Sequence, residues 1–293
     1  MKVIAVTVNW NRAEDTLACI ASLHAQRPVP PQVIVVDNGS SDDSVAQLRV
    51  ATPEVMLMTN ERNLGFSGGY NLGIRQALAL GAAYVLIINN DAILAPDALA
   101  TLLQHAAPGV GALAPLIYHA PPERVIWSLG GRTHPWTLEK SNPWVGQPDR
   151  GTLPHIIEQD FLTGCILLLP RATLETVGLF DEGFWLYYED MDFARRVRLA
   201  GLRMLTVTEA HAWHKVASSS GGSDSPSERY WMARSSVRFF RKHGWGWRML
   251  VILPYRLGSA LKTSLQLGAR GRFQALHAYW RGLRDGMREE MRP

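Results

Sequence analysis

The chain has 293 residues, 47% of them hydrophobic and 19% charged, an ordinary globular composition that excludes disordered and fibrous classes. Its net charge of +4 hides an asymmetry: residues 229 to 293 carry 14 Lys and Arg against 3 Asp and Glu, whereas residues 1 to 228 carry 16 against 23. Cys19 and Cys165 are the sole cysteines and neither has a Cys or His at metal-ligand spacing, which excludes a disulfide scaffold or zinc module and implies a reducing compartment. No apolar run approaches the roughly 18 residues of a spanning helix, and the first residues do not read as a signal peptide, so a cytoplasmic protein, soluble or peripherally attached, is expected.

Lys2 to Val8 is an apolar run ended by the polar turn Asn9-Trp10-Asn11-Arg12, after which Leu17, Ile20, Ala21 and Leu23 recur at helical spacing. Val33 to Val36 repeats the strand and Asp37-Asn38-Gly39-Ser40 the turn, and Val45 and Leu48 open the next helix. Val55 to Met58 and Tyr84 to Ile88 continue the strands, with helices over Leu72 to Leu80 and Pro96 to His105. This alternation predicts an α/β fold, a mostly parallel sheet flanked by helices, whose ligands gather at the carboxyl ends of the strands. Between Pro115 and His155 the pattern lapses into Pro, Gly and Trp, as in an insertion or long flap. The Ser- and Gly-rich stretch 218 to 228 reads as a flexible boundary between a body, residues 1 to 217, and a basic tail, residues 229 to 293.

Three polar clusters, Asn9 to Arg12, Asp37 to Gly39 and Asn89-Asn90-Asp91, close strands on one edge of that sheet. An Asp ending a strand can accept from a ribose hydroxyl or a base N–H, and an Asp beside carboxamides suits a hard divalent cation and diphosphate oxygens. Singly, each is as well explained by a turn or a helix cap, and it is their joint occurrence that points to a site. The glycine-dense run Asn63 to Gly73 precedes a helix where backbone N–H groups could approach a phosphate or sugar, but it is neither a dinucleotide fingerprint nor a P-loop. Gly65-Phe66-Ser67-Gly68-Gly69 formally matches the hydrolase nucleophile elbow, although no strand runs directly into it. Glu189, Asp190 and Asp192 sit among aromatics ahead of a helical stretch, where one acid serves as a helix partner and Asp190 is the candidate general base. His214, after the strand-like Arg203 to Val207, can ligate a metal or meet a diphosphate.

With Val8-Asn9-Trp10-Asn11, Val36-Asp37-Asn38-Gly39-Ser40, Asn63-Leu64-Gly65-Phe66, Asn89-Asn90-Asp91, Phe180-Asp181-Glu182, Tyr188-Glu189-Asp190-Met191-Asp192 and His214 in that order, the chain resembles the family 2 glycosyltransferases, specifically their rhamnosyltransferase branch. The resemblance covers about residues 1 to 220. It implies a GT-A fold, that of the nucleotide-diphospho-sugar transferases, a nucleotide-diphosphate sugar donor, Mg2+ or Mn2+ as cofactor, and inversion at the anomeric carbon. Carried over, Asn9, Arg12 and Asp37 would hold the nucleoside. Gly65, Phe66 and Asn71 would line the donor pocket, with Asn89 and Asn90 beside the diphosphate. Asp91 and His214 would be metal ligands. The family's first metal Asp is Asn89 here, which removes one anionic ligand. Asp190 would be the base and Glu189 its neighbour, with Asp160, Gly164 and Trp185 on the acceptor side.

The implied activity is transfer of a deoxyhexose such as rhamnose from a dTDP or UDP carrier to a saccharide or lipid-linked saccharide in cell-surface polysaccharide synthesis. A non-catalytic nucleotide-sugar-binding or scaffold relative is the competing reading, encouraged by Asn89. In the tail, Leu257, Leu261 and Leu265, then Leu276, Trp280, Leu283 and Met287, fall at helical steps with basic residues between them. Such helices either attach to an anionic membrane surface, here the inner face of the cell membrane, or dock their apolar stripe on the catalytic body or on a second copy in a homodimer. Nucleic acid is disfavoured, because the basic residues sit among large aliphatics and no nucleic-acid motif occurs.

Overall fold

In a computed structural model, residues 1–120, 124–215, 224–244 and 246–289 are described. The chain opens with β1 (Val3–Asn9), α1 (Ala13–His24), β2 (Gln32–Asp37), α2 (Ser44–Ala51), β3 (Met56–Thr59), α3 (Gly65–Ala79) and β4 (Tyr84–Ile88). Apolar, mostly β-branched strands joined by helices pair in parallel, and β3-β2-β1-β4 do so in that order. The strand and helix alternation expected over this stretch is observed.

Beyond β4 the sheet turns mixed. A short β5 (Ala92–Leu94) and α4 (Ala98–Gln104) precede β6 (Val110–His119), β7 (Ile126–Ser128), β8 (Arg132–Thr133), β9 (Lys140–Ser141) and β10 (Ile156–Gln159). Then follow β11 (Ile166–Pro170), α5 (Arg171–Val177), α6 (Glu189–Leu199) and β12 (Arg203–His214). β11 lies antiparallel between β4 and β6, and the large sheet runs β10-β12-β6-β11-β4-β1-β2-β3. The stretch from Pro115 to His155 is therefore not a flap throughout, because its start is the buried second half of β6. β12 continues seven residues past the strand expected to end at Val207 and delivers His214 beside Ala92 of β5. Both cysteines are buried and unbridged.

The chain divides into two units. The first takes residues 1 to 132, 142 to 183 and 189 to 216, and contains the large sheet. The second takes residues 133 to 141, 184 to 188 and 217 to 293. Residues 218 to 223 of the expected linker lie outside the described residues, and α7 (Pro226–His243) begins inside the stretch read as flexible. Its start is capped by the Ser225 hydroxyl, which accepts from the Glu228 N–H, with Pro226 in the first turn. A 3-10 turn (Gly246–Arg248), α8 (Met249–Ala269) and α9 (Phe273–Arg288) complete this unit. Its small core joins Ala233, Ala260, Leu267, Ala275 and Tyr279. Gly282 and Gly286 let α9 approach α7 closely: a Cβ at Gly282 would stand 2.3 Å from the Tyr230 carbonyl oxygen. The short segments from 133 to 141 and 184 to 188 pack here too, with Trp185 stacked on Trp231 and Arg256 paired with Glu139.

Candidate active site

The ends of β1 and β2 are neighbours in register, Asn9 beside Asp37, and both side chains are buried. Asn9 Nδ2 donates to Asp37 Oδ2 at 2.7 Å, and Ser40 donates to the same carboxylate through its hydroxyl at 2.6 Å and its N–H at 3.0 Å. These charge-assisted bonds hold the Asp37 carboxylate in place at the strand end. Thr16 donates to Asn9 Oδ1 at 2.7 Å and accepts from Asn90 Nδ2 at 3.0 Å, so a side-chain chain runs from Asp37 to the end of β4. Asn9 and Asn90, expected as donor contacts, are thus members of one supporting network. Arg12 is exposed just ahead of α1.

Asn38, which sequence reasoning passed over, ties the next loop down. Its Oδ1 accepts from Asn60 Nδ2 and the Leu64 N–H, and its Nδ2 donates to Asn63 Oδ1 and the Gly65 carbonyl. The Gly65 N–H donates to Asn63 Oδ1, so that donor is already engaged. The glycine run serves packing: a Cβ at Gly73 would stand 2.3 Å from Val6 Cγ1, and one at Gly39, where φ is +75, would stand 2.6 Å from the Arg62 backbone. Ser67 is fully buried within α3, well past the end of β3, which removes the hydrolase elbow. Asn71, expected in the donor pocket, is buried with both ends of its carboxamide on the Phe180 backbone and a further bond to Glu182. It clamps the segment leading to the acids, and with Arg75 it holds the Glu182 carboxyl below the usual range.

At the end of β4, Tyr70 donates to Asn89 Oδ1 and the Ile88 carbonyl. Asp91 Oδ1 and His214 Nε2 lie 2.9 Å apart, each side chain 7% exposed, with Trp127 edge-on to the imidazole at 4.2 Å. Burial works against a charged imidazole, whereas the neighbouring Cys165 sulfur and the Asp91 carboxylate favour it, and the His214 pKa is raised to about 10.

Asp190 sits in the first turn of α6, where a carboxylate suits the helix dipole. Its Oδ1 accepts from the Met191 N–H at 2.8 Å and its Oδ2 from the Gly164 N–H at 3.3 Å. Gly164 is tightly placed against the Phe66 ring, which a Cβ there would approach to 3.0 Å, with Asp190 Cβ at an ordinary contact distance of 3.6 Å. The next residue, Cys165, accepts the Asn89 N–H through its carbonyl at 2.8 Å. Gly164 and Cys165 therefore join Asp190 to the Asn89-Asn90-Asp91 cluster on one sheet edge. Phe66 packs on Tyr70 and Phe180 beside this join. Glu189 is buried next to Asp190, and Asp192, fully buried, pairs with Arg196, which also donates to the Val177 and Leu179 carbonyls. The chain enters α6 through Tyr187 and Tyr188, both at φ near +66, a conformation bulky residues hold only where the surroundings impose it.

Two further residues expected on the acceptor side have partners of their own. Asp160 pairs with Arg132 and Arg198 at 3.6 and 3.3 Å, and Trp185 belongs to the helical unit. Gly164 donates its N–H to Asp190. Among the described residues, no three His, Cys, Asp or Glu side chains gather to hold a metal. The donor set of one carboxylate and one imidazole, flanked by carboxamides, fits a divalent cation that would take its remaining ligands from outside this set.

The fold is similar to that of GalNAc-T7 solved with UDP, GalNAc and Mn2+, at a TM-score of 0.61 and 16% identity over 80% of this chain and 47% of that one. It is also similar to the mannosyltransferase PcManGT from Pyrobaculum calidifontis solved with GDP-Man and Mn2+, at a TM-score of 0.58 and 20% identity over 100% of this chain and 76% of that one. At such identities the likeness establishes the fold alone, and that fold is GT-A. Residues 4–168, more than half of the chain, match the family model described as Glycosyl transferase family 2. The chain is 30% identical over 289 residues, 91% of its length and 92% of the relative's, to the N-acetylglucosaminyl-diphospho-decaprenol L-rhamnosyltransferase of Mycobacterium tuberculosis (strain ATCC 25618 / H37Rv). It is 30% identical over 222 residues, 74% of this chain and 71% of the relative, to galactofuranosyltransferase GlfT1 of the same strain. The chain belongs to glycosyltransferase family 2 and is a glycosyltransferase.

Proposed function

We propose that this enzyme transfers a deoxyhexose, rhamnose in the first instance, from a dTDP- or UDP-sugar to a saccharide or lipid-linked saccharide used for cell-surface polysaccharide, with inversion at the anomeric carbon. The observation that carries the reading is the bridge of Gly164 and Cys165, which sets the Asp190 carboxylate and the Asp91–His214 pair on one sheet edge. Similarity along nearly the whole chain to a relative named for rhamnosyl transfer to a lipid-linked acceptor supports the donor and acceptor class.

In this mechanism Asp37 receives the nucleoside, held for that purpose by Asn9 and Ser40. Asp190 takes the proton of the acceptor hydroxyl as that oxygen bonds to the anomeric carbon, while the bond from that carbon to the diphosphate breaks on the opposite face. One displacement inverts the centre. The Gly164 and Met191 N–H groups keep the carboxylate aimed. Asp91 and His214 would hold a divalent cation, Mg2+ or Mn2+, which when bound supplies positive charge to the departing diphosphate.

The test is transfer from dTDP-rhamnose, and from UDP-sugars in parallel, to a polyprenyl-diphospho-saccharide, with mass spectrometry of the product and NMR of the new linkage. An inverted linkage supports the proposal. Retention, or nucleotide binding without transfer or donor hydrolysis under every condition, overturns it, and the second outcome favours the non-catalytic reading that Asn89 suggests.

A further inference from the structure

The leucines of α8 and those of α9 fare differently. In α9, Leu276 and Leu283 join the core of the helical unit. In α8, Leu250, Leu253, Leu257, Leu261 and Leu265 are 79, 52, 64, 62 and 65% exposed. At 100° per residue these five fall on one strip of the helix. The rotation of α8 about its own axis is set from the side about a third of a turn away, where Ile252, Ala260 and Leu267 are buried. On that side too, Arg256 donates to Ser236 at 3.0 Å and lies over the Phe240 ring at 4.6 Å. The leucine strip is the outward face of a packed helix. Contiguous apolar surface of this kind marks an interaction site.

Charge decides between occupants. Residues 229 to 284 contain twelve Lys and Arg and no Asp or Glu, and Lys262 is exposed within the span of the strip. A protein groove for five leucines needs no basic field, and a nucleic acid has no use for the leucines. A surface offering both apolar depth and negative charge is an anionic bilayer. No described helix is long and apolar enough to cross a membrane. We propose that the leucine face of α8 docks in plane on an anionic lipid bilayer, with exposed basic residues of the helical unit, Lys262 among them, facing the headgroups. The proposal stands on this face and its charge, independently of the sugar transferred.

The test is sedimentation of the full chain with vesicles of phosphatidylcholine alone or with added phosphatidylglycerol, at low and high salt. The wild type is expected to pellet with the anionic vesicles only, less so at high salt. Leu257→Asp/Leu261→Asp should lower the partition by more than about tenfold with an unchanged melting temperature. If that variant loses native circular dichroism, Leu257→Gln/Leu261→Gln is read in its place. Lys262→Glu should weaken binding in low salt and matter little in high salt. Three outcomes overturn the proposal: a wild type that ignores anionic vesicles, a double variant that binds them equally well, or a solution dimer that the double variant converts to monomer, which would assign the face to a second copy.

Discussion

Asp190 in α6 accepts two backbone N–H groups, one of them from Gly164 at the sheet edge that carries Asp91 and His214, so its carboxylate is held by backbone donors. Asp190→Asn keeps the shape and removes the basicity, and should lower kcat by about 10² to 10⁴-fold with donor affinity unchanged, as read by steady-state kinetics beside equilibrium binding. The Asp91–His214 pair makes a second prediction. The folded His214 pKa is raised from 6.5 to about 10, so the native state binds the extra proton across that interval. Its contribution to stability is complete below about pH 6.5 and is lost as pH rises towards 10. In metal-free buffer, the melting-temperature gap between wild type and His214→Gln should be widest below about pH 6.5 and shrink as pH approaches 10. A gap constant with pH would contradict a charged pair. Asp37 and Asp91 were legible as candidates because each lies in a polar cluster that follows an apolar strand, and His214 because it comes after one. The role of Asn71 was not, because its partners at 180 and 182 lie more than a hundred residues away and only folding brings them together.

The glycines of α3 show the same contrast for elements. Read along the chain they suggest a ligand cradle. In the fold, Gly69 and Gly73 let the helix lie against β1 and β2, with Val6, Val8 and Asn38 where a methyl would go. Gly73→Ala should destabilise the protein by about 1 to 3 kcal/mol through overpacking, read from denaturant midpoints at constant m value. The helical unit was legible as amphipathic helices, but periodicity cannot tell a stripe that faces a core from one that faces outward. The small residues of α9, Ala275, Ala278, Gly282 and Gly286, made the difference by allowing close approach to α7.

For the whole molecule, a nucleotide bound at the strand ends stabilises the native state by mass action, about 2.7 kcal/mol at a hundredfold excess over Kd. A thermal-shift screen of dTDP, UDP and GDP with and without Mg2+ or Mn2+ should therefore find one nucleotide whose stabilisation depends on metal, and Asp91→Ala should abolish that dependence. A nucleotide that stabilises wild type and variant alike, with or without metal, would remove Asp91 from the cation site.

By itself the sequence determined the α/β alternation of the first half, the polar strand ends, the acids at the start of α6 and the basic tail, since each is a matter of residues near one another along the chain. The family motifs are legible for the same reason. Tertiary structure decided the antiparallel insertion of β11, which places Gly164 and Cys165 between Asp190 and the end of β4. It also decided the extension of β12 to His214, the use of Asn38 and Asn71 as ties, and the exposure of the α8 leucines. These are outcomes of pairing and packing between distant segments, where hydrogen-bond partners and buried faces are chosen by which surfaces meet.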